Sequence, residues 1–284
     1  MHLTFLQIVI LGLVQGAAEL LPVSSSAHVI VAEKLMGVDP SNPEMTFLLV
    51  MLYTGTMFAV MIYFWKAWRE RYFSSRERFI EAAKWIIAAT ACTGFLGLGL
   101  KIFIEKVVLA GHAKAEVESL FSNLPLMAVS LAVAGVLILI AAARGRGSEE
   151  VKARSALWTG IVQGLCLPFR GLSRSGATIS TSLLCGTGRK AAEDFSFALA
   201  VVLTPPVVVL ELHRLYKDRS PLHPHASLFH MVAPGLVGMA CSLVAGLLAL
   251  KLLSRWLESG RWQNFGYYCL FFAAVVFILS QSGY

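Results

Sequence analysis

Charge is scarce in this sequence. Only 14% of its 284 residues are charged, while 57% are hydrophobic. A soluble domain has about 25% charged and about 45–50% apolar residues, so a soluble fold of this length would lack polar surface. A mean hydropathy of +0.69 points the same way. Acidic residues are the rarer sign, 17 against 24 basic, which leaves a net charge of +7. The basic residues fall between apolar stretches, where they orient helices in a bilayer, so nucleic acid is not expected as a partner. Cysteine is also sparse: Cys92, Cys166, Cys185, Cys241 and Cys269 lie in apolar stretches with no C-x-x-C spacing. That pattern excludes a disulfide framework and a thiolate metal site, and reads as small core residues. The opening "MHLTFLQ" lacks a basic n-region, and no clean small-residue cleavage site follows. The first apolar segment is therefore expected to remain in the mature protein.

What the chain has in abundance is apolar runs. A bilayer core needs about 20 apolar residues per helix, and six stretches qualify: Met45–Trp65, Ala83–Phe103, Leu124–Ala143, Phe195–Leu212, Phe229–Leu252 and Phe265–Ser280. Two further regions, Leu3–Gly37 and Ser155–Gly188, are apolar but interrupted by polar residues, and each reads as two short helices around a break. They resemble each other. "GLVQG" at Gly12–Gly16 matches "GIVQG" at Gly160–Gly164; Leu21-Pro22 matches Leu167-Pro168; "SSSA" at Ser24–Ala27 matches "SRSG" at Ser173–Gly176. The shared order predicts an internal duplication: one membrane domain, 1–284, made of repeats at about 1–143 and about 155–284. Each repeat holds one broken pair and three full spans. Three crossings between the pairs invert the second relative to the first, as in inverted-topology repeats whose broken helices meet near the midplane.

Basic residues choose the orientation. One side collects Lys66 to Lys84, Arg144 to Arg154, Arg189, Lys190, and Lys251 to Arg261. The other has only Lys101, Lys106, Lys114, Arg214, Lys217 and Arg219. The richer side is expected to be cytoplasmic, which puts both termini and the mouth of the first broken pair outside.

The breaks hold the chemistry. Polar groups at membrane depth are costly and default to function. "ELLPVSSSAH" spans Glu19 to His28, and "SRSGAT" spans Ser173 to Thr178 at the start of an apolar helix. A helix N-terminus presents unpaired N–H groups and a positive dipole end. With Ser173, Ser175 and Thr178 beside it, and Arg174 offering a planar fork for phosphate oxygens, the second break describes a phosphate cradle. Ser24, Ser25 and Ser26 put hydroxyls at another such helix start. A serine attacking phosphorus needs a base and a leaving oxygen needs an acid; Glu19 and His28 can fill either role, and His28 shares a helical face with Ser24 and Ser25. Gln15 and Gln163 occupy matching positions, which suits helix packing. Glu193 and Asp194 are expected in an interfacial turn, Glu211 and His213 at the wet end of a span, and His223, His225 and His230 in a loop with little metal-binding promise.

These motifs resemble those of the bacterial undecaprenyl-diphosphate phosphatases associated with bacitracin resistance, over most of the chain. The first family motif is met by Gln15, Glu19, Pro22, Val23, Ser24, Ser25 and His28. The second is met by Gly171, Ser173, Arg174, Ser175, Gly176 and Thr178, and "EDFSFALAV" at Glu193–Val201 resembles the helix that follows. The resemblance implies removal of the terminal phosphate of a long-chain isoprenyl diphosphate in the bacterial inner membrane, for recycling of the carrier of cell-wall synthesis. It implies Ser25 as nucleophile, Arg174 on phosphate, and Glu19 and His28 in proton work. Ser24, Ser26, Ser173, Ser175, Gly176 and Thr178 become the phosphate-binding set. It also implies a divalent cation, Mg or Ca, near Glu19 and Gln15, and an all-α polytopic fold with six transmembrane helices and two re-entrant helical hairpins. A homodimer is one candidate assembly. The sequence departs from the family at three places: Gln15 stands where some members carry Glu, Ala18 replaces a common Thr, and "PFRGLS" parts Pro168 from Gly171 and adds Arg170. A transporter or lipid flippase is the alternative, since broken helices at midplane also suit carriers. The acid-phosphatase-like lipid phosphatases are excluded, because no histidine follows Arg174 at the required distance.

Overall fold

The computed structural model describes residues 3–38, 43–110, 117–120, 123–145, 147, 150–217 and 228–282. Lys114, Arg146, Arg219, His223 and His225 lie outside the described residues, as do the side chains of Glu211, Arg214, Lys217 and His230. Among the described residues every regular element is a helix. In chain order they are α1 (Phe5–Leu20), α2 (Ser25–Leu35), α3 (Pro43–Arg71), α4 (Arg76–Phe103), α5 (Leu124–Arg144), α6 (Ala153–Cys166), α7 (Arg174–Leu184), α8 (Arg189–Lys217), α9 (Leu228–Glu258) and α10 (Gln263–Gln281). A π-turn over Ile104–Val108 extends α4. Among the described residues six helices, α3, α4, α5, α8, α9 and α10, are long and apolar enough to cross a membrane.

The other four are short. At about 1.5 Å per residue, α1 is about 24 Å long and α2 about 16 Å, against a hydrocarbon core of about 30 Å. Local sequence explains their limits. Thr4 and Gln7 form a reciprocal capping box that starts α1. Pro22 forces Leu21 into extended backbone (φ −76°, ψ 150°), which ends it. In the second break Gly171 adopts φ +108°, and a Cβ there would lie 2.5 Å from the Met127 carbonyl oxygen. The residues inserted around Arg170 thus turn on a position that only glycine fills. Two non-glycine residues take positive φ among the described residues, Ser24 (67°) and Ser173 (46°). Each is the N-cap of the second helix in its pair, so the matched serine clusters carry matched backbone strain.

Packing follows a reciprocal scheme. α1 lies against α9 and α6 against α4, while α3 and α8 pack together, as do α5 and α10. Small residues permit the close approaches: a Cβ on Gly16 would meet the Ser242 carbonyl oxygen at 2.4 Å, and one on Gly160 the Ala89 carbonyl oxygen at 2.3 Å. The main core, including Phe64, Trp68, Leu131, Ile138, Phe197, Leu250, Leu253 and Phe265, is built chiefly from α3, α5, α8, α9 and α10, with Leu20 of α1 and Ile179 of α7.

Glu193 and Asp194 are not in a turn. They sit inside α8 and are buried. The Ser254 hydroxyl donates to Glu193 at 2.5 Å, and Arg71 pairs with Asp194 at 3.2 Å. Three partners there, Ser254 on α9 and Arg71 and Trp68 on α3, come from other helices, which a linear reading could not supply. His213 is exposed on a helix that runs on to Lys217. All five cysteines are free, with Cys269 buried and the others half-buried.

Candidate active site

The two breaks meet. The Ser175 hydroxyl donates to the Leu21 carbonyl at 3.2 Å, and the Gly176 Cα faces Pro22 so closely that a Cβ would lie 3.1 Å from the proline side chain. Residues separated by half the chain are thereby brought to one place, each at the start of a short helix.

Glu19 is the hub of this place. It sits in the last turn of α1. Arg174 Nη2, in the first turn of α7, donates to its Oε1 at 2.6 Å. The Ser25 hydroxyl, at the first position of α2, donates to its Oε2 at 2.5 Å. Gln15 Nε2, one turn earlier on α1, donates to the same Oε2 at 3.3 Å. One carboxylate thus receives a serine O–H, a guanidinium and a carboxamide. The Glu19 and Arg174 side chains keep 13% and 27% of their surface exposed, so a ligand can reach the pair. Of the two acid–base candidates beside the serines, Glu19 is the one that accepts the Ser25 hydrogen bond.

His28 is held elsewhere on α2. Its Nδ1 pairs with the Ser24 carbonyl at 2.8 Å and its Nε2 with the Tyr268 hydroxyl at 2.7 Å. Its ring stacks on Phe272, centroid to centroid 4.0 Å. The Ser24 and Ser26 hydroxyls bond each other at 3.2 Å. In the second break the Ser173 oxygen caps α7 by accepting from the Gly176 N–H at 3.3 Å. The Thr178 hydroxyl is fully buried and bonds the Arg174 carbonyl at 2.7 Å and the Ser196 hydroxyl at 2.6 Å. In this state Ser173, Ser175 and Thr178 brace the loop that presents Arg174, and the Gly176 amide is turned onto its cap. Gln163, the counterpart of Gln15, bonds Thr93 on α4 at 3.1 Å and has no contact with the hub.

Several neighbours had no signal in the sequence. Tyr268 and Phe272 belong to α10, 240 residues beyond His28 for the tyrosine. The Cys269 thiol donates to the Pro22 carbonyl at 3.1 Å and pins the first break to α10. Tyr53 on α3 lies in the electrostatic field of Arg170, Glu19, Arg174 and Glu33, and the buried Glu33 lies in that of Arg170. Arg170 therefore acts toward the hairpin pair. Only side chains of four helices and the loop before α7 seen together reveal this.

The arrangement can hold an anion. Arg174 at the start of α7 and the Ser25 hydroxyl at the start of α2 meet on the one Glu19 carboxylate. Among the described residues no group of three or more His, Cys, Asp or Glu gathers around a common centre. Glu19 and the Gln15 carboxamide are adjacent, however, and one carboxylate plus one amide oxygen suits a cation completed by substrate phosphate oxygens.

Comparison with known proteins bears on this geometry. A family model described as bacitracin resistance protein BacA matches residues 8–275. The chain is 55% identical over 278 residues to Undecaprenyl-diphosphatase 2 of Acinetobacter baylyi, covering 97% of this chain and 98% of that protein. It is 33% identical to an undecaprenyl-diphosphatase of Desulfosudis oleivorans, covering 95% and 96%. It is 32% identical to one of Korarchaeum cryptofilum, covering 93% and 95%.

Proposed function

This chain belongs to the bacitracin resistance protein BacA family, and from that premise we propose that it hydrolyses undecaprenyl diphosphate to undecaprenyl phosphate and inorganic phosphate. It is a multi-pass membrane phosphatase of the acid-anhydride type, and its substrate is a lipid that reaches the site from the bilayer. The observation that carries the mechanism is the Glu19 carboxylate bridging the Ser25 hydroxyl and the Arg174 guanidinium.

Ser25 Oγ attacks the terminal phosphorus while Glu19 accepts its proton. The Oγ–P bond forms as the bridging P–O bond breaks, and undecaprenyl phosphate leaves. Glu19 releases that proton to solvent; it then takes a proton from the water that cleaves the Oγ–P bond of the phosphoserine, passes it to the Ser25 oxygen, and inorganic phosphate is released. Arg174 turns its fork from Glu19 onto the equatorial oxygens. The N–H groups and dipoles at the starts of α2 and α7 add fixed positive potential there at no cost of reorganisation. His28 supplies or holds a proton for the leaving phosphate. Ser24, Ser26, Ser173, Ser175, Gly176 and Thr178 line or brace the phosphate site. A divalent cation would be held by Glu19 and Gln15 and would neutralise charge on the diphosphate.

The two helix pairs are re-entrant hairpins of an inverted repeat. Their short helices, their matched strained serines and the reciprocal packing of α1 on α9 and α6 on α4 support that reading. The distribution of basic residues supports a site mouth on the periplasmic side. The carrier reading, which broken helices alone would allow, draws no support from the relatives.

The deciding experiment is phosphate release from undecaprenyl diphosphate by purified protein, with and without chelator. Phosphate released in equal amount to lipid monophosphate is expected. A protein that flips the lipid in vesicles but releases no phosphate would overturn the reading.

A further inference from the structure

His28 is clamped in a defined tautomer. Its Nδ1 is 2.8 Å from a backbone carbonyl, which only accepts, so the proton of the neutral ring is on Nδ1. Nε2 is left with a lone pair, and the Tyr268 O–H donates to it at 2.7 Å. Phe272, one turn on from Tyr268 on α10, stacks on the ring at 4.0 Å with an interplanar angle of 12°. Two contacts from one helix, a hydrogen bond and a stack, thus fix both the position and the orientation of the imidazole. The same stretch of α10 is tied to the first break by the Cys269 thiol on the Pro22 carbonyl. A tyrosine hydroxyl suits the task because it both donates and accepts. It donates to Nε2 of the neutral ring and accepts from Nε2–H of the imidazolium. The ring can therefore change charge without changing place.

Resting on the phosphatase reading, we propose that Tyr268 is a positioning residue for the reaction, holding His28 Nε2 in place through both protonation states. α10 is then part of the catalytic machinery, although it carries none of the motif residues. Tyr268 is 41% exposed, and Phe272 and His28 are half-buried, so the clamp is not sealed inside the helix bundle.

The test uses full-length protein in detergent or nanodiscs, labelled with nitrogen-15 histidine. His28→Gln identifies the His28 resonances among the seven histidines. Tyr268→Phe keeps the ring and deletes only the hydroxyl, so the fold is retained; Tyr267→Phe, at a neighbouring position 61% exposed, is the control. Tyr268→Phe is expected to move the Nε2 resonance toward that of a free imidazole nitrogen. It should also lower kcat about five- to tenfold, as for one lost hydrogen bond, with KM unchanged. Tyr267→Phe should change neither. An unmoved Nε2 resonance, or a Tyr268→Phe enzyme with wild-type kcat, overturns the proposal. The two failures are distinguishable: a wild type that releases no phosphate sinks the phosphatase reading, whereas an active wild type matched by Tyr268→Phe removes the role of Tyr268 alone.

Discussion

Glu19 accepts from Ser25, Arg174 and Gln15 at once, and each contact has a separate consequence. Ser25→Ala removes the nucleophile and leaves the carboxylate and guanidinium paired. Turnover should fall by about a thousandfold or more, and a steady-state phosphate assay showing a loss of less than tenfold would exclude attack by Ser25. Arg174→Lys keeps the charge but cannot copy the planar fork. It should cost about 10- to 100-fold in kcat/KM, read from the same assay, and a variant as active as wild type would show that charge alone suffices. Gln15→Glu adds a second carboxylate beside Glu19. It is expected to lower the Mg or Ca concentration needed for half-maximal activity, measured by titration after chelation; an unchanged midpoint would count against the Glu19–Gln15 pair as the cation anchor. The residue types of this hub were legible in "ELLPVSSSAH" and "SRSGAT" because ionisable groups are so expensive at membrane depth. Their pairing was not. Both Glu19 and His28 stood within reach of the serines by spacing, and only the turn at Leu21–Ser24 decides that Glu19 meets Ser25 while His28 faces α10.

At the scale of elements, a helix pair too short to cross must be held by its neighbours. α1 is seated on α9 through Gly12 and Gly16, where added Cβ atoms would lie 2.8 Å from Cys241 and 2.4 Å from the Ser242 carbonyl oxygen. Gly16→Ala should therefore force the helices apart and destabilise the protein by about 1–3 kcal/mol, visible as a lower midpoint of thermal unfolding in detergent. An unchanged midpoint would mean that α1 shifts freely against α9. The base of the second pair is closed differently, by the Ser155 hydroxyl bonding Ser182 and Thr187 at 2.9 and 2.7 Å. The existence and order of all six long helices and both breaks were readable from apolar run length, polar interruptions and proline. The ends were read short: the run expected at Met45–Trp65 continues as helix to Arg71 and that at Phe195–Leu212 to Lys217. Charged residues at a membrane surface interrupt an apolar pattern without interrupting backbone hydrogen bonds.

At the scale of the molecule, the three long helices between the two short pairs set their relative direction. If the pairs are inverted about the membrane plane, the turn at Ser74 and the C-terminal end at Ser282 lie on opposite sides. Both positions are exposed. With Ser74→Cys and Ser282→Cys placed in a background lacking the native cysteines, a membrane-impermeant thiol reagent added to intact spheroplasts should label position 282 alone. Labelling of position 74 alone, or of both, would reverse or refute the orientation drawn from the basic residues.

The sequence by itself determined the class of this protein, its helices and their breaks, and the kinds of residue that do its chemistry. Each of these is a local matter of hydropathy, of capping and of the cost of burying charge, and so is written within a window of a few residues. Tertiary structure decided which carboxylate meets which hydroxyl, that Arg174 closes on Glu19 from 155 positions away, and that a tyrosine of the last helix holds His28. Those contacts depend on how the helices pack around two breaks, and packing is set by side chains from all parts of the chain at once.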